Sequence, residues 1–561
     1  MLPLIQVKNL CISFIQEHEN IPAVTNISFD IPRGKITALI GESGSGKSVT
    51  ALSLMQLLPA SSSVKGAILF SEAGDVAVDL LSISKEKIRQ LRGNKIAMIF
   101  QEPMTSLNPV HTCGAQVMES LMLHKKLSGK QAKEETLELF KKVELPQPEK
   151  MLRRYPHELS GGQKQRVMIA MAMSCGPALL IADEPTTALD VRVQKNILEL
   201  IKKLQLETGM SVLLITHDLA LVADTADEMA VMYKGAIVES GEARKILTAP
   251  AHSYTRALMD CRPAGHHKGM KLPVIGDNDP GSILSAEKEI RPVSEETILS
   301  VQHLTVSFPT EKNIFGKIKG SYKAVNDVSF DVKKNETVGL VGESGCGKTT
   351  LGRAILQLIR PDAGKIMLNG RDLAGCSSSE LRVMRKDLQV VFQDPYGSLN
   401  PRLSIGDAIT EPMKVHFPDR TKNERKERAA ALLEKVNMSG DMMNRYPHQF
   451  SGGQRQRICI ARALALNPEF LVFDESVSAL DVSVQAQILN LINDLKSSYN
   501  FSSIFISHDL SVIRYISDRV MVMQLGNIVE TGTPDDIFDS PKENYTKELL
   551  AAIPGGAGFG I

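Results

Sequence analysis

Two segments have the residue types and the spacing of a phosphate-binding loop. They are GESGSGKS at residues 41–48 and GESGCGKT at residues 342–349. Glycines allow such a loop to wrap its backbone N–H groups around phosphate, its lysine can reach the terminal phosphates, and the hydroxyl after the lysine can bind magnesium. Because the match occurs twice in one chain, chance is a negligible explanation. The residues concerned are Gly41, Gly44, Gly46, Lys47 and Ser48 in the first loop and Gly342, Gly345, Gly347, Lys348 and Thr349 in the second.

Each half of the chain also has an acidic pair and, further on, a histidine, and both follow apolar runs. The acidic pairs are Asp183 with Glu184 and Asp474 with Glu475, and the histidines are His217 and His508. One carboxylate can hold magnesium while its neighbour takes a proton from attacking water or orients that water. A histidine that faces the γ-phosphate could polarise the same water. An acidic strand end in solvent and an ordinary hydrogen-bonded histidine are the alternatives.

A third repeated motif places a serine and two glycines ahead of a helix-like segment. Its residues are Ser160, Gly161, Gly162 and Gln163 in LSGGQ and Ser451, Gly452, Gly453 and Gln454 in FSGGQ. Glycine N–H groups at a helix N-terminus form an anion site. Each half already contains a complete phosphate loop. A second phosphate-binding motif in the same half therefore suggests that this motif binds the nucleotide of another copy. An ordinary glycine-rich helix start is the alternative.

These motifs lie on elements that repeat along the chain. IFQEPMTSLNP and RYPHELSGGQKQR recur as VFQDPYGSLNP and RYPHQFSGGQRQR, so the chain is a tandem duplication. Each copy opens with alternating β-branched runs, followed by a strand that ends at the phosphate loop and a helix after it. Short apolar runs then alternate with longer helical segments, which predicts a mostly parallel sheet covered by helices.

Length and composition exclude several classes of protein. The 561 residues are enough for several domains, and 65 Lys and Arg against 64 Asp and Glu leave a net charge of +1, with no basic field for nucleic acid. We predict no transmembrane helix and no secretory leader, so we expect the chain to stay in the cytosol. The seven cysteines contain no CxxC pair, which disfavours a disulfide framework or a cysteine metal site.

Residues 251–297 separate the two copies and are rich in proline and glycine without sustained periodicity, which predicts a linker. The expected domains are therefore residues 1–250 and 298–561. His266 and His267 lie in this linker without nearby partner ligands, and we expect them to be solvated rather than to bind a metal.

Together the motifs resemble the ATP-binding cassette (ABC) family across nearly all of both halves. The resemblance implies an α/β fold with two P-loop NTPase (RecA-like) ABC cassettes in tandem, each with an antiparallel β subdomain and a helical signature subdomain. It implies ATP and Mg²⁺ as cofactors and two cassettes that close head to tail. The first phosphate loop would then be completed by Ser451, Gly452 and Gly453 of the second copy, and the second loop by Ser160, Gly161 and Gly162 of the first.

The resemblance also assigns roles within each site. Catalysis would fall to Glu184, His217, Glu475 and His508, and the magnesium ligands would be Ser48, Gln101, Asp183, Thr349, Gln393 and Asp474. Phe14 and Phe308 align by strand pattern and could stack on adenine, because every base has a π face. A place in the core is the alternative, and Phe315 or Tyr322 could substitute for Phe308.

Further details narrow the resemblance to the peptide/nickel group of importers. They are SLNP after Gln101 and Gln393, RYPH before each SGGQ motif, and the tails APAHSYTRALM and SPKENYTKELLAAIP. This implies two fused ATPase subunits, one chain per transporter, peripheral at the cytoplasmic face of the inner membrane. They would drive uptake of di- or oligopeptides, glutathione, nickel or metal chelates. The implied partners are two transmembrane permease subunits and an extracytoplasmic substrate-binding protein. Many members carry a cysteine cluster after the cassette, but here only Cys261 follows residue 250 in the first half, so we expect no iron–sulfur cluster.

Two other functions remain open from the sequence. A soluble tandem cassette that acts as a clamp on ribosomes or nucleic acid should have a long charged linker or a basic face, and this chain has neither. A metabolic P-loop kinase gives the repeated SGGQ motif no role. Lysines around Phe315 could touch an anionic membrane or a permease loop, with a solvated hairpin as the alternative.

Overall fold

The computed structural model describes residues 2–16, 19–72, 74, 76–101, 106–186, 189–275, 292–312, 318–478 and 480–553. They form two compact units. The first consists of Met1–Met259 and Ile275–Gly281, and the second of Asp260–Val274 and Ser282–Ile561. Both units contain the same two kinds of sheet.

An antiparallel sheet of four strands begins each unit. The strands of the first unit are β1 (Ile5–Gln16), β2 (Glu19–Ile31), β4 (Ser62–Phe70) and β5 (Val78–Asp79), in the order β2-β1-β4-β5. Those of the second are β11 (Thr297–Lys312), β12 (Ile318–Lys333), β14 (Ala363–Leu368) and β15 (Arg371–Asp372), in the order β12-β11-β14-β15. On β1, Val7 and Leu10 both face the core although they are three positions apart, because the strand bulges between them.

A six-stranded sheet forms the centre of each unit. In the first it contains β3 (Ile36–Ile40), β6 (Ile96–Ile99), β7 (Leu179–Asp183), β8 (Ser211–Thr216), β9 (Glu228–Tyr233) and β10 (Ala236–Glu242), in the order β10-β9-β3-β8-β7-β6. In the second it contains β13 (Thr337–Val341), β16 (Leu388–Val391), β17 (Phe470–Asp474), β18 (Ser502–Ile506), β19 (Arg519–Gln524) and β20 (Asn527–Gly532), in the order β16-β17-β18-β13-β19-β20.

All pairs in these central sheets are parallel except the pairs β9–β10 and β19–β20. Strands β3, β7 and β8 are buried along their whole length, which explains their continuous apolar runs. Because parallel strands end at the same edge, the polar residues that follow them are brought together there.

The longer helices follow the same order in both units. The first unit has α1 (Lys47–Leu54), α2 (Lys85–Leu91), α3 (Cys113–His124), α4 (Gly129–Lys142), α5 (Pro148–Met151), α6 (Gly161–Met173), α7 (Val191–Thr208), α8 (Leu219–Thr225), α9 (Ala243–Thr248) and α10 (Ser253–Asp260). The second has α11 (Lys348–Ile355), α12 (Ser378–Met384), α13 (Pro395–Ser398), α14 (Ile405–His416), α15 (Lys422–Lys435), α16 (Gly452–Leu464), α17 (Val482–Tyr499), α18 (Leu510–Ile516), α19 (Pro534–Asp539) and α20 (Asn544–Ala551). Single 3-10 turns cover Pro156–Glu158, Gly440–Asn444 and Pro447–Gln449. The short α5 of the first unit corresponds to the 3-10 turn Gly440–Asn444 in the second, and α13 has no counterpart among the described residues of the first.

Helices α3, α4 and α6 form a helical subdomain in the first unit. Val117, Phe140 and Ile169, one from each helix, are fully buried in one apolar cluster. The helices begin at polar caps: the Thr112 hydroxyl accepts a hydrogen bond from the N–H of Ala115. With its antiparallel sheet, central sheet and helical subdomain, this architecture confirms the predicted fold class.

Two described parts of the segment predicted as a linker pack against the units. Helix α10 packs on the first unit through the fully buried Tyr254. On the second unit, Leu272 exchanges two backbone hydrogen bonds with the Asn490 side chain at 2.9 and 2.8 Å, and the Tyr515 hydroxyl donates to the carbonyl of Met270 at 2.7 Å. Residues 276–291 of this segment lie outside the described part of the chain.

Among the described residues, no helix is both long enough and apolar enough to cross a bilayer.

Candidate nucleotide-binding sites

The first phosphate loop lies between β3 and α1 at the carboxyl edge of the central sheet. The Lys47 ammonium donates to the carbonyls of Gly41 and Glu42 at 2.7 and 2.8 Å and is almost fully buried. Gly46 has φ 101°, and a Cβ there would lie 2.8 Å from the carbonyl of Ala23. Only glycine fits this left-handed, closely packed position.

The second loop repeats this geometry between β13 and α11. The Lys348 ammonium donates to the carbonyls of Gly342 and Glu343 at 2.7 and 2.9 Å. Gly347 has φ 112°, and a Cβ there would collide with the carbonyl of Ala324. The two loops are therefore held in one conformation by equivalent contacts.

A hydroxyl and a carboxylate lie side by side at each site. The Ser48 hydroxyl donates to Asp183 at 3.1 Å, and the Thr349 hydroxyl donates to Asp474 at 3.1 Å. Burial raises the pKa of Asp183 to about 6, with the neighbouring Glu184 acting in the same direction, and burial likewise raises the pKa of Asp474. A carboxylate desolvated in this way gains from a nearby cation.

The glutamate after each aspartate has a left-handed backbone. Glu184 has φ 46° and Glu475 has φ 48°, and their N–H groups donate to the carbonyls of Ile215 and Ile506 on the neighbouring strands. A left-handed conformation costs a non-glycine residue on the order of 1–2 kcal/mol. Strain of this kind clusters at functional sites, where the fold over-determines it.

Each glutamate carboxylate holds the glutamine and the histidine of its own site. Gln101 donates to Glu184 at 2.9 Å, and His217 Nδ1 lies 3.3 Å from the other carboxylate oxygen. In the second site the Glu475 carboxylate has the same two partners: Gln393 donates to it at 2.7 Å, and His508 Nδ1 lies at 3.4 Å. In each unit the structure therefore brings together the predicted glutamine, glutamate and histidine at the carboxyl edge of the central sheet; with the neighbouring aspartate we call them the strand-end cluster.

Burial acts to raise the pKa of Glu475, but its hydrogen bond to His508, the charge of His508 and the charge of Lys348 together hold that pKa below its usual range. The Glu475 carboxylate is therefore ionised near neutral pH and can accept hydrogen bonds or a proton.

The signature residues lie on the helical subdomain of each unit. Ser160 caps α6, where its hydroxyl accepts a hydrogen bond from the N–H of Gln163 and the Gln163 side chain accepts one from the Ser160 N–H. Ser451 and Gln454 form the same capping box on α16. Both serines are exposed, so the helix N-termini are open to an outside group.

The candidate adenine-stacking residues lie on the antiparallel sheets. Phe14 on β1 is half-buried opposite Ile21, whereas Phe308 on β11 is 41% exposed opposite Tyr322. The Tyr322 hydroxyl donates to the carbonyl of Gly345 in the phosphate loop at 3.3 Å. Phe315 lies outside the described residues.

Comparison with known families matches the ABC transporter model at residues 24–187 and 325–478. The chain belongs to the ABC transporter family. A second model, the C-terminal region of oligopeptide/dipeptide transporters, matches residues 238–288 and 529–556. Both cassettes are therefore ATPase cassettes, as predicted from the motifs.

Curated relatives match nearly the whole chain. The glutathione import ATP-binding protein GsiA of Pectobacterium atrosepticum is 46% identical over 99% of this chain and 90% of its own length. GsiA of Escherichia coli K12 is 47% identical, with 98% and 89% covered. A solved ATP-binding cassette, MJ0796 bound to ADP and Pi, aligns with 42% of this chain and 99% of its own at 26% identity and a TM-score of 0.39.

Sequence reasoning missed contacts that join distant segments to the sites. The Tyr254 hydroxyl accepts a hydrogen bond from the N–H of Glu42, and the Tyr545 hydroxyl accepts one from the N–H of Glu343. The repeated tyrosine in the two tails is the signal that could have indicated them.

In the second unit, the Arg455 guanidinium of α16 lies 3.6 Å from the ring centre of Tyr396 on α13. Helix α13 directly follows Gln393 and Asp394, so this contact ties the glutamine loop to the signature helix. The equivalent of Tyr396 in the first unit, Met104, lies outside the described residues.

Proposed function

We propose that this chain is the ATP-hydrolysing subunit of an importer for peptide-like solutes, glutathione among them. The proposal is carried by the relatives, which are named glutathione import ATP-binding proteins and match almost the full length. The complete residue set at both strand-end clusters supports it, since hydrolysis needs a phosphate loop, a metal ligand and a proton acceptor at each site.

We further propose that each site is completed by the signature of the other cassette. Lys47, Ser48, Gln101, Asp183, Glu184 and His217 would work with Ser451, Gly452 and Gly453, and Lys348, Thr349, Gln393, Asp474, Glu475 and His508 with Ser160, Gly161 and Gly162. The exposed, capped helix N-termini support this, because their N–H groups and serine hydroxyls can bind phosphate oxygens. Gln163 and Gln454 would hold those serines in place.

Magnesium fits the hydroxyl–carboxylate pairs. Mg²⁺ takes one or two protein oxygens and completes its shell with water and nucleotide phosphates, and Ser48 with Asp183, or Thr349 with Asp474, supplies such oxygens. When bound, the ion would neutralise charge on the phosphates. Glu184 or Glu475 would orient the attacking water and accept its proton, while His217 or His508 holds that carboxylate in place. Gln101 and Gln393 would link the cluster to the loops that follow them.

Phe14 and Phe308 are the proposed adenine contacts. In the second unit, Tyr322 pairs with Phe308 and its hydroxyl donates to the phosphate loop, which supports a stacking role for one of these rings. Phe14 lacks an aromatic cross-strand neighbour, since it faces Ile21.

Permease subunits are the partners that the family implies, and a groove on the first helical subdomain offers a surface for them. It has a volume of about 1080 Å³ and is lined by residues of α3, α4 and α5. Met122 and Leu123 are 47% and 63% exposed at its wall, while Glu119 and Lys133 place opposite charges there. An amphipathic permease helix suits such a groove.

The full assembly would contain one such chain, two transmembrane permease subunits and an extracytoplasmic substrate-binding protein. The chain would lie peripherally at the cytoplasmic face of the inner membrane. The balanced charge gives no support to the alternative of a clamp on ribosomes or nucleic acid.

Reconstitution in vesicles with the two permease subunits and the substrate-binding protein tests this function. We expect ATP-dependent uptake of glutathione or a dipeptide, ATPase stimulation by the loaded binding protein, and loss of both in the Glu184→Gln/Glu475→Gln protein. Gln101→Ala with Gln393→Ala should keep MgATP binding and lose the stimulation. Co-purification with ribosomes instead of permeases, without uptake, would contradict the proposal.

A further inference from the structure

The helix that follows the central sheet is fixed to the edge strand in the same way in both units. On β10, the Glu239 carboxylate accepts hydrogen bonds from the N–H groups of Ala251 and His252 at 2.8 and 3.2 Å, just before α10. On β20, the Glu530 carboxylate accepts them from Lys542 and Glu543 at 2.8 and 3.3 Å, just before α20. We call α10 and α20 the tail helices.

Each tail helix reaches the phosphate loop of its own cassette through one tyrosine. Tyr254 is fully buried, and its hydroxyl accepts a hydrogen bond from the N–H of Glu42 at 3.3 Å. Tyr545 is 8% exposed and accepts one from the N–H of Glu343 at 3.1 Å. The tail helices read SYTRALMD and NYTKELLA, so the tyrosine is kept while most other positions differ.

The tyrosine and the loop lysine contact the same residue of the loop. Lys47 donates to the Glu42 carbonyl at 2.8 Å, and the Glu42 N–H donates to Tyr254. Lys348 donates to the Glu343 carbonyl at 2.9 Å in the same way. Lys47 and Lys348 also donate to the carbonyls of Gly41 and Gly342 at 2.7 Å, and these carbonyls lie in the same peptide groups as the N–H groups that the tyrosines accept from. When phosphate draws the lysine toward itself, the tyrosine still fixes this peptide, so the loop needs less reorganisation to bind nucleotide.

We propose that Tyr254 and Tyr545 are positioning residues that fasten each phosphate loop to its tail helix, so that the region after each cassette sets the affinity of that site for MgATP. The inference rests on the proposed ATPase function. It gives a role to the two segments matched by the C-terminal-region model, since residues 238–288 and 529–556 contain both glutamates and both tyrosines.

The proposal is tested by removing the hydroxyl of one tyrosine and measuring the KM for MgATP at one site at a time. Tyr254→Phe keeps the ring, whose centre lies 4.2 Å from that of Tyr233, and removes the hydroxyl. In the Glu475→Gln background, where the first cassette's site turns over, the KM for MgATP should rise about two- to tenfold, the range expected for one lost hydrogen bond, with kcat unchanged and Tm lowered by a few degrees at most. In the Glu184→Gln background the same change should leave KM unaltered, and Tyr545→Phe should show the reverse pattern.

An unchanged KM in both backgrounds would overturn the proposal, and so would an equal rise in both, which would indicate a general structural effect. MgATP binding to the Glu184→Gln/Glu475→Gln protein, measured by calorimetry with and without Tyr254→Phe, separates this from the proposed function. If the single-site proteins do not turn over but Tyr254→Phe still weakens binding at one of two sites, the catalytic assignment fails and the tyrosine role stands. If binding at both sites is unchanged, the tyrosine role fails.

Discussion

A single glutamate organises each cluster at the residue scale. One carboxylate oxygen of Glu184 accepts a hydrogen bond from Gln101, and the other lies within hydrogen-bond distance of His217 Nδ1. The Glu184 backbone has a left-handed conformation, in which its N–H donates to the neighbouring strand. Its carboxylate position is therefore fixed before nucleotide binds. Preorganised groups of this kind stabilise developing charge without reorganisation.

Glu184→Gln and Glu475→Gln test the role of this carboxylate. A carboxamide keeps the size and the hydrogen-bonding reach of the side chain but cannot accept a proton. Each change should lower turnover at its own site about 10²-fold or more, so each single variant should lose the activity of one site and the double variant nearly all activity. Steady-state ATPase assays on the three proteins measure this, and full activity in either single variant would refute two competent sites.

The residues of these clusters are predictable from sequence because short motifs carry them, but their local geometry is not. Lys47, Asp183 and His217 follow apolar runs at fixed places in a repeated pattern, which is enough to place them at one sheet edge. The left-handed φ of Glu184 and the contact between Tyr254 and Glu42 depend on strands and helices that are distant in the chain. The tyrosine repeated in the two tails marks a residue of interest, but no local pattern shows which residue it contacts.

At the scale of elements, the segment Asp260–Val274 packs on the second unit, and we call it the strap. Its Lys268 forms an ion pair with Asp518, which also accepts hydrogen bonds from Lys496 at 3.1 Å and from the N–H of Thr337 at 2.8 Å. Thr337 begins β13, the strand that leads into the second phosphate loop. Proline and glycine interrupt the sequence pattern here and predict a linker, whereas the ion pair of Lys268 leaves no local signal because its partner lies far along the chain.

Asp518→Asn tests the importance of this cluster. Burial acts to raise the pKa of Asp518, but the charges of Lys268 and Lys496 hold that pKa below its usual range. Neutralising the carboxylate leaves two buried ammonium groups without it, so we expect the second unit to lose about 3–5 kcal/mol of stability. Lys268→Met is the matched control and should cost much less, because Asp518 keeps Lys496. Urea unfolding monitored in the second unit measures both changes, and equal losses would contradict this account.

The pH dependence of the strap has a defined sign. Burial lowers the pKa of Lys268 from 10.5 to about 8, with the charge of Lys496 acting in the same direction. Between these two values the unfolded chain binds the proton and the folded chain does not, so the contribution of Lys268 to stability rises with pH in this window. The stability of the unaltered protein relative to Lys268→Met should therefore increase from about pH 8 to pH 10, and a flat difference would show that the lysine is not desolvated.

At the scale of the whole molecule, duplication places both sets of site residues in one chain. Two cassettes on one tether have an effective concentration in the millimolar range, so pairing should need no second chain. The Glu184→Gln/Glu475→Gln protein with MgATP should run as a monomer in size-exclusion chromatography with light scattering. A stable ATP-dependent dimer of whole chains would contradict intramolecular closure.

The exchange of signatures between the two sites is the central claim, and one measurement tests it most directly. Aspartate is a good helix N-cap, so Ser451→Asp and Ser160→Asp keep α16 and α6 capped while placing negative charge where phosphate would bind. In the Glu475→Gln background, Ser451→Asp should lower ATPase turnover about 10²-fold, as expected when a phosphate-stabilising group is lost, whereas Ser160→Asp should leave it nearly unchanged. Loss of activity with Ser160→Asp and retention with Ser451→Asp would show that each cassette uses its own signature and would contradict the account.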